Sequence, residues 1–253
     1  MEYRYEPEGV CSYEMIFEIE NNIIKSLKIL GGCPGNTVGV SKLVEGKDIE
    51  TVIKLLKGIP CRDKGTSCPD QVAKALEQYK KKLKNIKIRR ITEMEEVLKE
   101  LDNMGIKYEV VEHKPVYTIE DMNNLDPNIF KGAEICKNLF LRDQKGKRHF
   151  LVVLCSEKQA DLSKIQETIF SSKLSFASPE RLKKYLGLEP GHVSPMGLIN
   201  DKENKVEVIF DKELTKKELL AVHPNTNEAS LLISFKDLEK FVKETGHDIE
   251  YMN

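Results

Sequence analysis

The stretch Ala133–Arg142, AEICKNLFLR, decides how the chain is read. Ile135, Lys137, Leu139 and Leu141 alternate with Cys136, Asn138 and Phe140, a strand pattern. Lys137 therefore shares a side with three apolar residues. An ammonium buried there without a partner is costly, so either it snorkels to water at a sheet rim or something needs its charge. The turn Asp143-Gln144-Lys145-Gly146 links this stretch to His149–Cys155 (HFLVVLC), which predicts a hairpin.

Working outward, residues 91–253 mix helices and strands. Thr92 and Glu95 read as a capping box for a helix to Asn103, with Gly105 as its stop. Lys107–His113 is strand-like, and Thr118 caps a short helix to Leu125. Ser178-Pro179-Glu180 opens a helix that Gly187 ends. Strands are expected near Gly197–Asn200, Lys205–Asp211, Glu218–His223 and Ala229–Ser234, and Ser234 opens a last helix that stops near Gly246. This is an α+β pattern with a largely antiparallel or mixed sheet.

Toward the N-terminus, Tyr13–Leu30 reads as a hairpin around Asn21-Asn22, since asparagine tolerates positive φ. GGCPGN follows as a turn carrying Cys33. Asp48 caps a helix to about Lys57, and Pro69 sits in the first turn of another that runs to about Leu83. Residues 80–90, KKKLKNIKIRR, hold seven basic groups and no acid. They read as a helix end and a linker, and also suit a phosphate backbone. The division expected is 1–87 and 91–253.

Over 253 residues, Lys+Arg 40 balance Asp+Glu 41, so no global field draws the chain to nucleic acid. No apolar run spans a bilayer and no signal peptide is evident, which predicts a cytoplasmic protein without a membrane partner. The oligomeric state is left open. Cys11, Cys33, Cys61 and Cys68 fall in the first part. Four thiolates can close a tetrahedral zinc site, yet no Cys-x-x-Cys pair is present, and four small hydrophobes explain them equally well.

The run Gly65-Thr66-Ser67-Cys68-Pro69-Asp70 resembles the signature of the TSCPD family of small four-cysteine domains. The resemblance covers residues 1 to about 85 and implies a metal or thiol role, with structural zinc at Cys11, Cys33, Cys61 and Cys68 as one expectation.

In the second part, Gly191-His192-Val193-Ser194-Pro195 and His223-Pro224-Asn225-Thr226-Asn227 each read alone as ordinary turns. Glu112–Thr118 (EHKPVYT) leaves a strand for a loop. Together with Lys137 in CKNLFLRD, these motifs resemble the YbaK/ProX family of editing deacylases, over about residues 91–250. CKNLFLRDQKGKRHFLVVL is most similar to the alanyl-tRNA(Pro) branch. The resemblance implies a compact domain with a central mixed sheet and hydrolysis of mischarged alanyl-tRNA(Pro). Cysteinyl-tRNA(Pro) hydrolysis and a non-catalytic aminoacyl-tRNA sensor are the alternatives.

On this resemblance Lys137 and His223 are the catalytic residues. Lys137 supplies charge to the ester carbonyl or the terminal phosphate. The backbone from Gly191 to Pro195, with Gly191, Ser194 and Pro195 as its binding residues, holds the terminal adenosine and its ribose hydroxyl; His223 orients that region, and Asn225 and Asn227 shape the loop. Val116, Tyr117 and Thr118 line a small pocket that selects by size. No cofactor is expected for deacylation, and prolyl-tRNA synthetase is a candidate partner.

Overall fold

The computed structural model describes residues 2–116 and 118–252. The chain divides into two compact units, Met1–Ile88 and Arg89–Asn253.

In the first unit β1 (Glu2–Tyr5), β2 (Ser12–Glu20) and β3 (Ile23–Gly31) form an antiparallel sheet in that order. Asn21 and Asn22 both adopt positive φ, 48° and 63°, which gives the tight turn the two asparagines predict. Next comes α1 (Pro34–Val44), with Cys33 at its N-cap, where the sequence reads only as a turn. Asp48 caps α2 (Ile49–Leu56), its side chain accepting from Thr51 N at 2.9 Å. Met15, Phe17, Ile24, Val52, Val72 and Leu76 pack between sheet and helices.

The next element corrects the sequence reading. A single helix, α3, spans Cys68–Asn103. No helix ends at Leu83, and Thr92 and Glu95 lie inside the helix rather than capping a new one. Nor is the basic run a loose linker. Lys80 pairs with Glu50, Arg89 with Glu93 and Glu189, and Arg90 with Glu228.

The second unit is built on a mixed sheet. Its elements are β4 (Tyr108–Glu112), α4 (Ile119–Asn123), β5 (Glu134–Arg142), β6 (His149–Cys155), α5 (Leu162–Thr168), β7 (Ser175–Phe176), α6 (Pro179–Leu186), β8 (Val206–Asp211), β9 (Leu219–Val222), β10 (Ala229–Ser234), α7 (Phe235–Glu244) and β11 (Ile249–Met252). The strand order is β11-β8-β6-β5-β9-β10-β4, with β7 against β5. β5 and β6 form the predicted hairpin, while β8 runs parallel to β6 and β9 parallel to β5. The strand expected at Gly197–Asn200 is instead a 3-10 turn, Pro195–Asn200.

Every residue of β6 is buried, because both faces of the sheet are covered. On one face Phe140, Leu151, Val153 and Phe210 meet Val97 and Leu101 of α3, Leu186 of α6 and Phe241 of α7. On the other, Leu141, Phe150 and Val152 pack on Ile165 and Ile169, and a separate cluster joins Val116, Met122, Phe130, Ala221 and Leu232. Among the described residues no helix is long and apolar enough to cross a membrane.

Candidate functional site

The site follows from how β5 is paired. On one side β6 matches it from Cys136 to Arg142. On the other side β9 pairs only with Glu134 and Ile135, and β7 only with Leu141 and Arg142. Among the described residues the edge between them has no strand partner, and this is where Lys137 stands. Ile135 packs with the cluster around Val116, Leu139 with the one around Leu141. Lys137 thus falls between two apolar clusters on the face where the alternation places it.

A cavity of about 340 Å³ opens there, lined by Val116, Thr118, Met122, Ile135, Cys136, Lys137, Asn138, Gly191, Val193 and His223. That volume lies in the range of small-molecule sites. Lys137 Nζ donates to the carbonyl oxygen of Lys158 at 2.7 Å. This bond partners the ammonium and fixes its direction. Among the described residues Asn138 Oδ1 is buried without a hydrogen-bond partner, an acceptor with spare capacity beside the lysine.

His223 ends β9. Its Nδ1 lies 3.2 Å from the carbonyl oxygen of Ala229. A carbonyl only accepts, so Nδ1 carries the proton and Nε2 keeps its lone pair. Burial pushes the His223 pKa down to about 4, the Ala229 bond opposes this, and His113 and His192 add to the lowering. The imidazole is therefore neutral at physiological pH.

Of the expected site residues, Lys137, His223, Gly191, Val116 and Thr118 meet in the cavity. Tyr117 lies outside the described residues. Ser194, Pro195, Asn225 and Asn227 are buried behind the lining rather than on it. Ser194 Oγ donates to the His223 carbonyl oxygen and accepts from Met196 N at 3.1 Å. Asn225, at φ 61°, donates through Nδ2 to the Met196 carbonyl oxygen at 3.4 Å. Ser194 thus ties the Gly191–Pro195 loop to His223, and Asn225 ties the His223 loop to the Pro195–Asn200 turn, so these two shape the wall from behind. Sequence reasoning missed Met122, Ile135, Cys136 and Asn138, while Val193 lies in the Gly191–Pro195 loop it singled out. Asn138 had one available signal, a polar residue directly beside Lys137 between the apolar stretches of the strand.

A model of the aminoacyl-tRNA editing domain matches residues 113–241, the stretch that carries this cavity. The chain belongs to the aminoacyl-tRNA editing family. It is accordingly a hydrolase, an aminoacyl-tRNA deacylase, and its substrate is an aminoacyl-tRNA. Over 151 residues it is 50% identical to the prolyl-tRNA editing protein ProX of Acetoanaerobium sticklandii, covering 60% of this chain and 91% of that protein. It is 35% identical over 164 residues to prolyl-tRNA synthetase associated domain-containing protein 1 of Mus musculus, covering 62% of this chain and 94% of that one. The protein of the same name from Danio rerio is 34% identical over 158 residues, covering 61% and 82%.

The TSCPD domain matches residues 2–80. In that unit Cys11, Cys33, Cys61 and Cys68 all line one cavity of about 230 Å³. As donors, four thiols fit a soft cation. Their arrangement does not: among the described residues no group of three or more His, Cys, Asp or Glu is placed to hold a metal ion. Lys64 Nζ, itself cationic, lies 3.2 Å from Cys11 Sγ. The expected zinc ligand set is therefore not assembled in this structure.

Proposed function

We propose that this editing domain hydrolyses alanyl-tRNA(Pro) in trans, and that the chemistry resides wholly in the second unit. The observation that carries the reading is the cavity that gathers Lys137, Asn138, Gly191 and His223 against a wall of Val116, Met122 and Ile135. The similarity to a relative named for prolyl-tRNA editing supports the choice of tRNA.

In this reading the terminal adenosine lies along the Gly191–Val193 backbone, and the aminoacyl group enters the apolar end. Lys137 presents its charge to the ester carbonyl oxygen, where negative charge develops as water adds. Asn138 Oδ1 accepts from the α-ammonium of the amino acid. His223, neutral and with Nε2 free, orients the ribose hydroxyl and the attacking water. The carbonyl carbon then loses its bond to the ribose oxygen, which leaves with a proton, giving free alanine and tRNA. Larger side chains are excluded by clash with Met122 and Val116, a stronger device than the roughly 1–3 kcal/mol that one methylene gains in a pocket. Prolyl-tRNA synthetase is the proposed source of the mischarged substrate and a proposed partner.

The test is turnover by the full chain on alanyl-, cysteinyl- and prolyl-tRNA(Pro) at equal concentration. The reading expects alanyl-tRNA(Pro) to be cleared fastest and prolyl-tRNA(Pro) to be spared. Preference for the cysteinyl ester would reassign the substrate, and no turnover on any of the three would remove the catalytic reading.

A further inference from the structure

The four cysteines of the first unit converge without forming a metal site. Gly32 N donates to the Cys11 carbonyl oxygen at 3.1 Å, so the residue before Cys33 is paired with Cys11 at the end of the β2–β3 hairpin, and both cysteines line the same cavity. Gly32 has φ +81°, and a Cβ there would stand 3.0 Å from Thr37 Cγ2 and 3.6 Å from Cys68 Sγ. Only glycine lets this turn close over the fourth thiol. Cys68 is buried there, its Sγ 3.5 Å from Ser12 Oγ. From the other side a tight turn bridges Cys61 and Lys64, and the Lys64 side chain reaches Cys11 Sγ.

Cys11, Cys33 and Cys61 are exposed, and all four cysteines are free thiols. The walls between them are mixed: Val10, Ile59, Pro60 and Pro69 are apolar, while Asn36, Ser67 and Lys64 add polar groups. The ammonium on Cys11 matters in two ways. It offers a counter-charge to the sulfur in its nucleophilic, thiolate form. It also opposes a cation arriving at that same sulfur.

We propose that this cavity is a thiol–disulfide exchange site for a small organic disulfide, with Cys11 as the attacking thiol and Cys33 as the resolving one. The Cys11 thiolate attacks one sulfur of the disulfide RSSR. A bond forms between Cys11 Sγ and that sulfur, the S–S bond of the ligand breaks, and one thiolate leaves and takes up a proton. The Cys33 thiolate then attacks Cys11 Sγ, expelling the second small thiol and closing a Cys11–Cys33 disulfide. Two protein thiols and RSSR become one protein disulfide and two RSH, a two-electron exchange with no other reactant. The site is separate from the deacylase cavity and its chemistry.

The full chain, purified under reducing conditions without added metal, is first assayed for metal content and free thiols. It is then treated with oxidised glutathione and followed by thiol counting and peptide mass spectrometry. The expected result is loss of two thiols with a peptide linking Cys11 to Cys33. Cys33→Ser should instead trap a glutathione adduct on Cys11, and Lys64→Met should slow the reaction several-fold with Tm unchanged. Three results would overturn the proposal. One is a tightly held equivalent of divalent metal that shields the thiols until a chelator removes it. Another is thiol loss as fast in Cys11→Ser as in the parent chain, with both proteins folded by circular dichroism. The third is glutathione reacting only at Cys61 or Cys68.

Discussion

Lys137 is held by Lys158: its Nζ donates to the Lys158 carbonyl oxygen at 2.7 Å, and Lys158 Nζ in turn pairs with Asp211 at 2.9 Å. Asp211 is only 1% exposed and ends β8. Burial alone would raise its pKa, yet the Lys158 ammonium and the Glu213 backbone N–H outweigh that and hold the carboxyl below its usual range. The charge in the cavity is thus positioned from two strands away in the sheet order.

Asp211→Asn should therefore lower kcat while leaving KM nearly unchanged, because the Lys158 segment, and through it Lys137, loses its anchor. Stability should fall by about 1–3 kcal/mol, since a buried acceptor set is disrupted around a charge that Lys158 still carries. Urea unfolding and steady-state kinetics on the same preparation check both. An equal rise in KM with kcat intact would assign Asp211 to binding instead.

The size filter is testable at Met122, which is buried in the apolar wall of the cavity. Met122→Ala should raise kcat/KM for a larger aminoacyl ester relative to the alanyl ester, because the wall then yields space rather than clash. The ratio of the two constants is the readout. An unchanged ratio would place selection elsewhere in the pocket.

His223 sets two pH dependences. Its pKa of about 4 lies below the unfolded value near 6.5. The imidazole is neutral in the folded chain above about pH 4, so kcat should show no inflection near 6.5. Stability behaves differently. Below pH 6.5 the unfolded chain takes up a proton that the folded chain refuses, so stability is complete above 6.5 and is lost as pH falls toward 4. Burial lowers the pKa of His149 and His192 as well, adding to the same slope. His223→Asn should flatten the fall in Tm between pH 6.5 and 4.5. A Tm profile identical to that of the parent chain would contradict the burial argument.

Local chemistry made much of this structure legible. Asn21-Asn22, Asp48, Thr118 and Gly187 each announce a turn or a helix end, and each performs that role. The failures have a common cause. Thr92 and Glu95 are good capping residues that a helix interior also tolerates, so a 36-residue helix looked like two. The stretch Gly197–Asn200 looked like a strand. Yet Gly197 there is pressed so close that a Cβ would come within 2.7 Å of Leu188 Cδ1, and the segment coils into a buried 3-10 turn. Gly35 and Gly39 hid α1. At the site, the alternation around Lys137 was readable, but the gap between β9 and β7 that opens its edge depends on pairings far apart in sequence. Met122 arrives by the same route, which no local pattern records.

The measurement that bears most directly on the account is single-turnover deacylation of alanyl-tRNA(Pro) by the full chain and by Lys137→Ala, with Tm recorded for both. The account predicts that the variant folds with a similar Tm and hydrolyses the ester no faster than buffer does. Lys137→Arg should restore little, because a planar fork cannot take the place of a point charge held at 2.7 Å from the Lys158 carbonyl oxygen. A folded Lys137→Ala protein that clears alanyl-tRNA(Pro) at the parental rate would contradict it.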